Sequence, residues 1–112
     1  MSETHQRIEE MVQKFPIMLF MKGSPDAPQC GFSAKVSMIL KDVGKPFAFF
    51  DILSDMTIRE GIKAYSNWPT LPQLYVNGEF VGGCDIVSEM YVSGELQPVI
   101  DGAQDLPQDS DD

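Results

Sequence analysis

The sequence predicts an α/β domain in which a four-stranded mixed sheet carries helices on both faces. Three observations point there. Apolar residues recur at helical spacing in several separate stretches. Two short apolar runs, 17–21 and 46–50, are separated by one such stretch, and strands joined by a helix lie parallel with a right-handed crossover. Finally, Asn77-Gly78 stands between two further strand-like runs, which is the strongest short signal for an antiparallel hairpin.

Taken in order, Ile8, Met11, Val12 and Phe15 share one face of an N-terminal helix that stops before Pro16. Ile17 to Met21 is continuously apolar and too short for a helix of its own, hence a buried strand. Lys22 to Gln29 holds Gly23, Pro25 and Pro28 and reads as a loop. From Cys30 the pattern turns helical, with Val36, Ile39, Leu40 and Val43 on one face and Gly44 as the stop. Pro46 to Phe50, ending at Asp51, reads as the second strand. Ile58, Ile62 and Tyr65 mark a third, shorter helix. Gln73–Val76 and Glu79–Val81 are the hairpin strands, and Gly82-Gly83 ends the second of them. Ile86, Val87, Met90 and Tyr91 then mark a helix with Asp85 as its expected N-cap. Glu95 to Asp101 adds a short last helix after Gly94.

This order is the thioredoxin plan, so the fold class is a thioredoxin-like α/β fold. One domain spans residues 1–103, with no internal repeat. Residues 104–112 form an acidic, proline-containing tail whose composition predicts disorder and solubility.

The chain has 112 residues and a net charge of −9. Four of those charges, Asp105, Asp109, Asp111 and Asp112, lie in the tail, leaving −5 for the remainder. A nucleic-acid partner is not expected, because a phosphate backbone calls for a basic stripe. No stretch approaches the roughly 20 apolar residues of a membrane span, and the polar Met1–Glu10 segment does not read as a signal peptide. Two cysteines 54 positions apart make no disulfide framework, so a reducing, cytoplasmic setting is expected.

The chemistry centres on Cys30. A cysteine directly after a strand-to-helix loop has its sulfur beside the free N–H groups of the first helical turn, which favour thiolate over thiol. Lys22, at the end of the preceding strand, can return to the same place with a positive charge. Ser33 stands where a Cys-x-x-Cys redox pair would have its second sulfur. A serine can hydrogen-bond a thiolate but cannot resolve a mixed disulfide, so exchange must borrow an external thiol. The alternative for Cys30, a small buried hydrophobe, fits poorly with its Pro28-Gln29 and Gly31 flanks.

Two further clusters admit more than one reading. Trp68-Pro69-Thr70-Leu71-Pro72 precedes a strand. A cis Leu71–Pro72 bond would free the Leu71 backbone to pair with an extended peptide, while a rigid turn with Trp68 filling core explains the same residues. Gly82-Gly83-Cys84-Asp85 is either an anion site, with N–H groups at a helix start approached closely across glycine, or a plain strand–helix corner. His5 stands on a polar helix face without other ligands near it in sequence, and the seven methionines read as packing.

Together, Met21-Lys22-Gly23, Cys30-Gly31-Phe32-Ser33, Trp68-Pro69-Thr70-x-Pro72-Gln73-Leu74 and Gly82-Gly83-Cys84-Asp85-Ile86 resemble the monothiol glutaredoxins of the CGFS type, in their single-domain bacterial form. The resemblance runs over about residues 5–100. It implies glutathione binding through Lys22, Arg59, Leu71, Pro72, Cys84 and Asp85, with Cys30 as the reactive thiol and as the ligand of a bridging 2Fe-2S cluster. It also implies a homodimer in the cluster-bound form, and BolA-like proteins and apo iron–sulfur recipients as partners. Three functions follow as expectations. The first is a cluster carrier in iron–sulfur assembly, storage or transfer. The second is a glutathione-dependent oxidoreductase acting on protein–glutathione mixed disulfides. The third is a protein-binding adaptor, which the resemblance favours least.

Overall fold

The computed structural model describes residues 2–104. Helix α1, Glu3–Lys14, starts where the Ser2 hydroxyl accepts the His5 N–H at 3.0 Å, and it buries Ile8 and Val12. Strand β1, Ile17–Met21, is buried at every position. Residues 22–29 are not an open loop. They contain a two-residue ladder, β2 (Gly23–Ser24) against β3 (Ala27–Pro28), closed by the Gln29 N–H donating to Lys22 O at 2.9 Å. Composition announces the proline and glycine but not this pairing.

Helix α2, Gly31–Val43, ends at Gly44 in the left-handed conformation (φ 88°), the backbone state glycine adopts without steric cost. Strand β4, Ala48–Asp51, begins two residues later than the apolar run and takes in Asp51. A 3-10 turn, Ile52–Ser54, leads to α3, Met56–Ser66, whose first turn is capped by the Asp55 carboxylate. Strands β5, Gln73–Val76, and β6, Glu79–Gly82, flank Asn77-Gly78, both with positive φ as the tight turn requires. Helices α4, Cys84–Ser93, and α5, Leu96–Asp101, complete the described chain.

The sheet runs β4-β1-β5-β6. β1 and β4 are parallel (Leu19 opposite Phe49), and β5 is antiparallel to both β1 and β6. Alternation along β1 explains why it is apolar throughout. Ile17, Leu19 and Met21 face one core with Val36, Leu40, Val87 and Leu96. Met18 and Phe20 face the other with Ile8, Val12, Ile58 and Ile62. Each such side chain contributes about 1.5–3 kcal/mol through burial, so the central strand is the most heavily anchored. It is the base from which the Lys22 and Cys30 segment departs.

The expected N-cap at Asp85 is corrected. Gly83 is the N-cap of α4, Cys84 opens the helix and Asp85 lies in its first turn. Gly83 caps without a side-chain hydrogen bond, and a Cβ there would lie 3.2 Å from both Pro72 O and Trp68 Nε1, tighter than an ordinary contact, which favours glycine at this corner. Asp85 instead brings its negative charge to the positive end of the helix dipole. Gln104 donates its N–H to Asn77 Oδ1 at 2.9 Å, while the rest of the expected tail, 105–112, lies outside the described residues. Among the described residues no helix is long and apolar enough to cross a membrane.

Candidate functional site

Cys30 is the N-cap of α2. Its sulfur accepts the Ser33 N–H at 3.3 Å and stands 3.3 Å from the Ser33 hydroxyl. That hydroxyl, fully buried, also accepts the Lys22 N–H at 3.0 Å. Oγ has two lone pairs, so it can accept from the Lys22 amide and from the Cys30 thiol together; once Cys30 is ionised the hydroxyl turns its proton to the sulfur, and a donor to the charged form favours thiolate. Desolvation pushes the Cys30 thiol up. The Ser33 hydroxyl, the amides of Ser33 and Phe32 and the charge of Lys22 outweigh it and hold the thiol below its ordinary value. Removing the hydroxyl donor withdraws stabilisation from the thiolate only. Ser33→Ala is therefore expected to move the midpoint of Cys30 alkylation against pH upward, read with iodoacetamide. An unchanged midpoint would show that the helix amides alone set the acidity.

Lys22 is fixed from both sides. Its carbonyl accepts from Gln29 N–H, and the next amide, Gly23 N–H, donates to the Asp51 carboxylate at 2.9 Å. Gly23 has φ 87°, and a Cβ there would meet Ala27 O at 2.5 Å, so only glycine lets the β2–β3 turn close this tightly. The end of β4 thus ties down the strand end that precedes the thiol.

A cleft of about 200 Å³ lies between Phe32, two residues after Cys30, the Trp68, Thr70 and Leu71 segment, and Cys84 and Asp85 at the head of α4. Phe32 is 64% exposed. The Leu71–Pro72 peptide is cis, and Pro72 is buried. The amide of Trp68 donates to Lys63 O and to the Ser66 hydroxyl, each at 3.1 Å, at the end of α3. The Trp68 ring packs on Phe80 with centroids 5.8 Å apart. From the other side the Gln73 carboxamide donates to Trp68 O at 3.1 Å and Thr70 O at 3.2 Å.

The structure thus gathers Leu71, Cys84 and Asp85 around one cleft, with Pro72 behind it, Cys30 two residues from Phe32, and Lys22 close enough to act on the thiol. Arg59 is not among the residues lining that cleft. It lies on α3, and its Nε is buried with no hydrogen-bond partner. Cys84 places its sulfur 3.9 Å from the Ser88 hydroxyl, and both cysteines are free thiols. Two residues that organise the site, Asp51 and Gln73, are given no site role by the sequence, although Gln73 stands in the Trp68–Leu74 motif. Gln73 was detectable as the one polar residue of an otherwise apolar strand, 73–76.

Comparison with known proteins agrees with this fold. The glutaredoxin family model matches residues 17–81. A Synechocystis protein described as an uncharacterized monothiol glutaredoxin ycf64-like is 55% identical over 101 residues, covering 90% of this chain and 94% of that one. Rice monothiol glutaredoxin-S11 is 56% identical over 94 residues, covering 84% of this chain, which spans 19% of the rice protein's length. The solution structure of reduced poplar apo GrxS14 superposes with a TM-score of 0.77 at 50% identity, covering 88% and 90% of the two chains.

Proposed function

The chain belongs to the glutaredoxin family, among its monothiol members, and we propose that it binds glutathione and carries a 2Fe-2S cluster shared across a symmetric homodimer, in iron–sulfur cluster assembly, storage or transfer. One observation carries this reading. A single sulfur, its thiol held below the ordinary value, heads α2, and the residue three positions on is the buried Ser33 rather than a second cysteine.

A 2Fe-2S cargo takes four thiolates. Among the described residues no three or more His, Cys, Asp or Glu side chains stand together as a metal-binding group. Of the two cysteines, Cys30 is the ligand in this reading; Cys84 also lines the cleft, with its sulfur 3.9 Å from the Ser88 hydroxyl, and serves through its backbone. Two Cys30 thiolates and two glutathione thiols complete the set, and that composition is satisfied by a two-fold dimer.

The residues present suit glutathione. Lys22 and Arg59 answer its glycine carboxylate, and the buried, unpartnered Arg59 Nε is a donor in want of an acceptor. The Leu71 backbone, set by cis Pro72, pairs with the tripeptide. The Cys84 and Asp85 amides at the head of α4, with the Asp85 carboxylate, hold the γ-glutamyl end. In this reading BolA-like proteins and apo iron–sulfur proteins are the partners, and the compartment is the reducing cytoplasm, consistent with two free thiols.

The depressed Cys30 thiol supports a second reading, glutathione-dependent oxidoreductase chemistry. The Cys30 thiolate attacks the glutathione sulfur of a protein–glutathione disulfide and releases the protein thiolate. A second glutathione thiolate then attacks the Cys30–glutathione disulfide, freeing Cys30 as oxidised glutathione leaves.

Anaerobic reconstitution with iron, sulfide and glutathione, followed by absorption spectroscopy and size-exclusion chromatography, tests the first reading. The expected result is a coloured dimer and a colourless monomeric apo form. A coloured species of monomer size would overturn it.

A further inference from the structure

We propose that Gln73 is the positioning residue of the glutathione cleft: its buried carboxamide holds the Trp68–Leu71 rim where the tripeptide backbone pairs. The inference rests on the glutathione reading above and assigns to that site a residue that does not touch the ligand.

The side chain is fully buried, and Ser33, Ser37 and Gln73 are the buried polar residues of the described chain. A carboxamide taken out of water without partners is costly, so its bonds say what it is for. Both Nε2 protons are used on the rim, at Trp68 O and Thr70 O, and Oε1 accepts from the Tyr75 hydroxyl at 3.2 Å. Two carbonyls can only accept, which fixes the amide orientation without ambiguity. The base of the lever is rigid, since Gln73 pairs with Phe20 in the sheet.

The rim needs such a bolt. Of residues 69–72, Pro69 and Pro72 have no N–H to give. Trp68 is already tied to α3 through its amide. Gln73 ties the carbonyl side of the same residue and of Thr70 to the sheet, so one side chain sets the stretch that ends in Leu71. Tyr75 in turn orients Gln73, and burial pushes the Tyr75 hydroxyl up to about 12, so it stays a donor well into alkaline pH.

The test titrates glutathione into the apo chain by calorimetry and follows Cys30 alkylation against pH. Gln73→Met keeps the volume and removes every hydrogen bond; its dissociation constant for glutathione is expected to rise tenfold or more with the Cys30 midpoint unmoved. Tyr75→Phe keeps the carboxamide but frees its orientation, and a several-fold rise is expected. Gln73→Glu keeps the acceptor for Tyr75 and loses the donors. Its deficit relative to wild type at the same pH should shrink as acidification protonates it and restores one donor. In all three, the protection from solvent exchange that saturating glutathione gives the Leu71 amide should fall. If Gln73→Met does not fold, the other two variants carry the test. Folded variants that bind within twofold of wild type, or in which glutathione protects the Leu71 amide as fully as in wild type, overturn the positioning role. So does a Cys30 midpoint that shifts in step with affinity, since that marks general disruption. A wild-type chain that does not bind glutathione at all refutes the functional reading instead.

Discussion

Cys30→Ser is expected to abolish cluster incorporation completely, while Cys84→Ser retains it. The contrast follows from where each sulfur stands. The Cys30 sulfur is the cap of α2, two residues before the cleft residue Phe32, and the Ser33 hydroxyl, the helix amides and Lys22 hold its thiol below the ordinary value. Serine is itself a favoured N-cap, so Cys30→Ser leaves the helix start intact and isolates the loss of the ligand. Cys84 opens α4, and its sulfur lies near the Ser88 hydroxyl. What the cleft asks of it is the backbone N–H, which serine supplies equally. Glutathione affinity of Cys84→Ser should therefore change little. Iron and sulfide content after reconstitution, with calorimetry for glutathione, gives the answer. Full cluster content in Cys30→Ser with loss in Cys84→Ser would reverse the assignment.

Much of this arrangement was legible from residue order. The run 17–21 reads as a buried strand because only a strand covered on both faces is apolar at every position, and both cores do claim it. Asn77-Gly78 fixes the hairpin because both residues must take positive φ, which few sequences tolerate. Cys30 is readable because thiolate stabilisation at a helix start is a local effect. What escaped depends on contacts distant in sequence. Asp85 looks like a cap, yet α4 starts two residues earlier with Gly83 as its N-cap, where a Cβ would lie 3.2 Å from Pro72 O and Trp68 Nε1. Asp51 reads as a strand end, and its bond to the Gly23 amide crosses 28 positions. Gln73 is only a few residues from its partners, yet nothing local tells that its carboxamide turns back onto the preceding segment. Arg59 is named by the family resemblance alone; like Cys30, Lys22 and Pro72 it lies outside the cleft lining, and its Nε is buried without a partner.

Cluster assembly is expected to depend on glutathione specifically and to fail with dithiothreitol at equal thiol concentration. With Ser33 in place of a second cysteine, two of the four sulfurs come from outside the protein. Dithiothreitol supplies sulfur but has no carboxylate for Lys22 and Arg59 and nothing for the amides at the head of α4. A hydrogen bond to a charged group is worth roughly 1.5–3 kcal/mol, so forfeiting two weakens retention by a factor on the order of a hundred or more. Arg59→Ala and Lys22→Ala should each lower cluster yield at limiting glutathione, with partial rescue at excess. The two variants should differ in one further respect. Lys22 also lowers the thiol through its charge, so Lys22→Ala raises the Cys30 alkylation midpoint, whereas Arg59→Ala leaves it in place. Cluster absorbance against glutathione concentration, set beside the alkylation profile, separates ligand capture from thiolate stabilisation. Equal yield with dithiothreitol alone, or wild-type titrations in both variants, would refute the glutathione-ligated cluster.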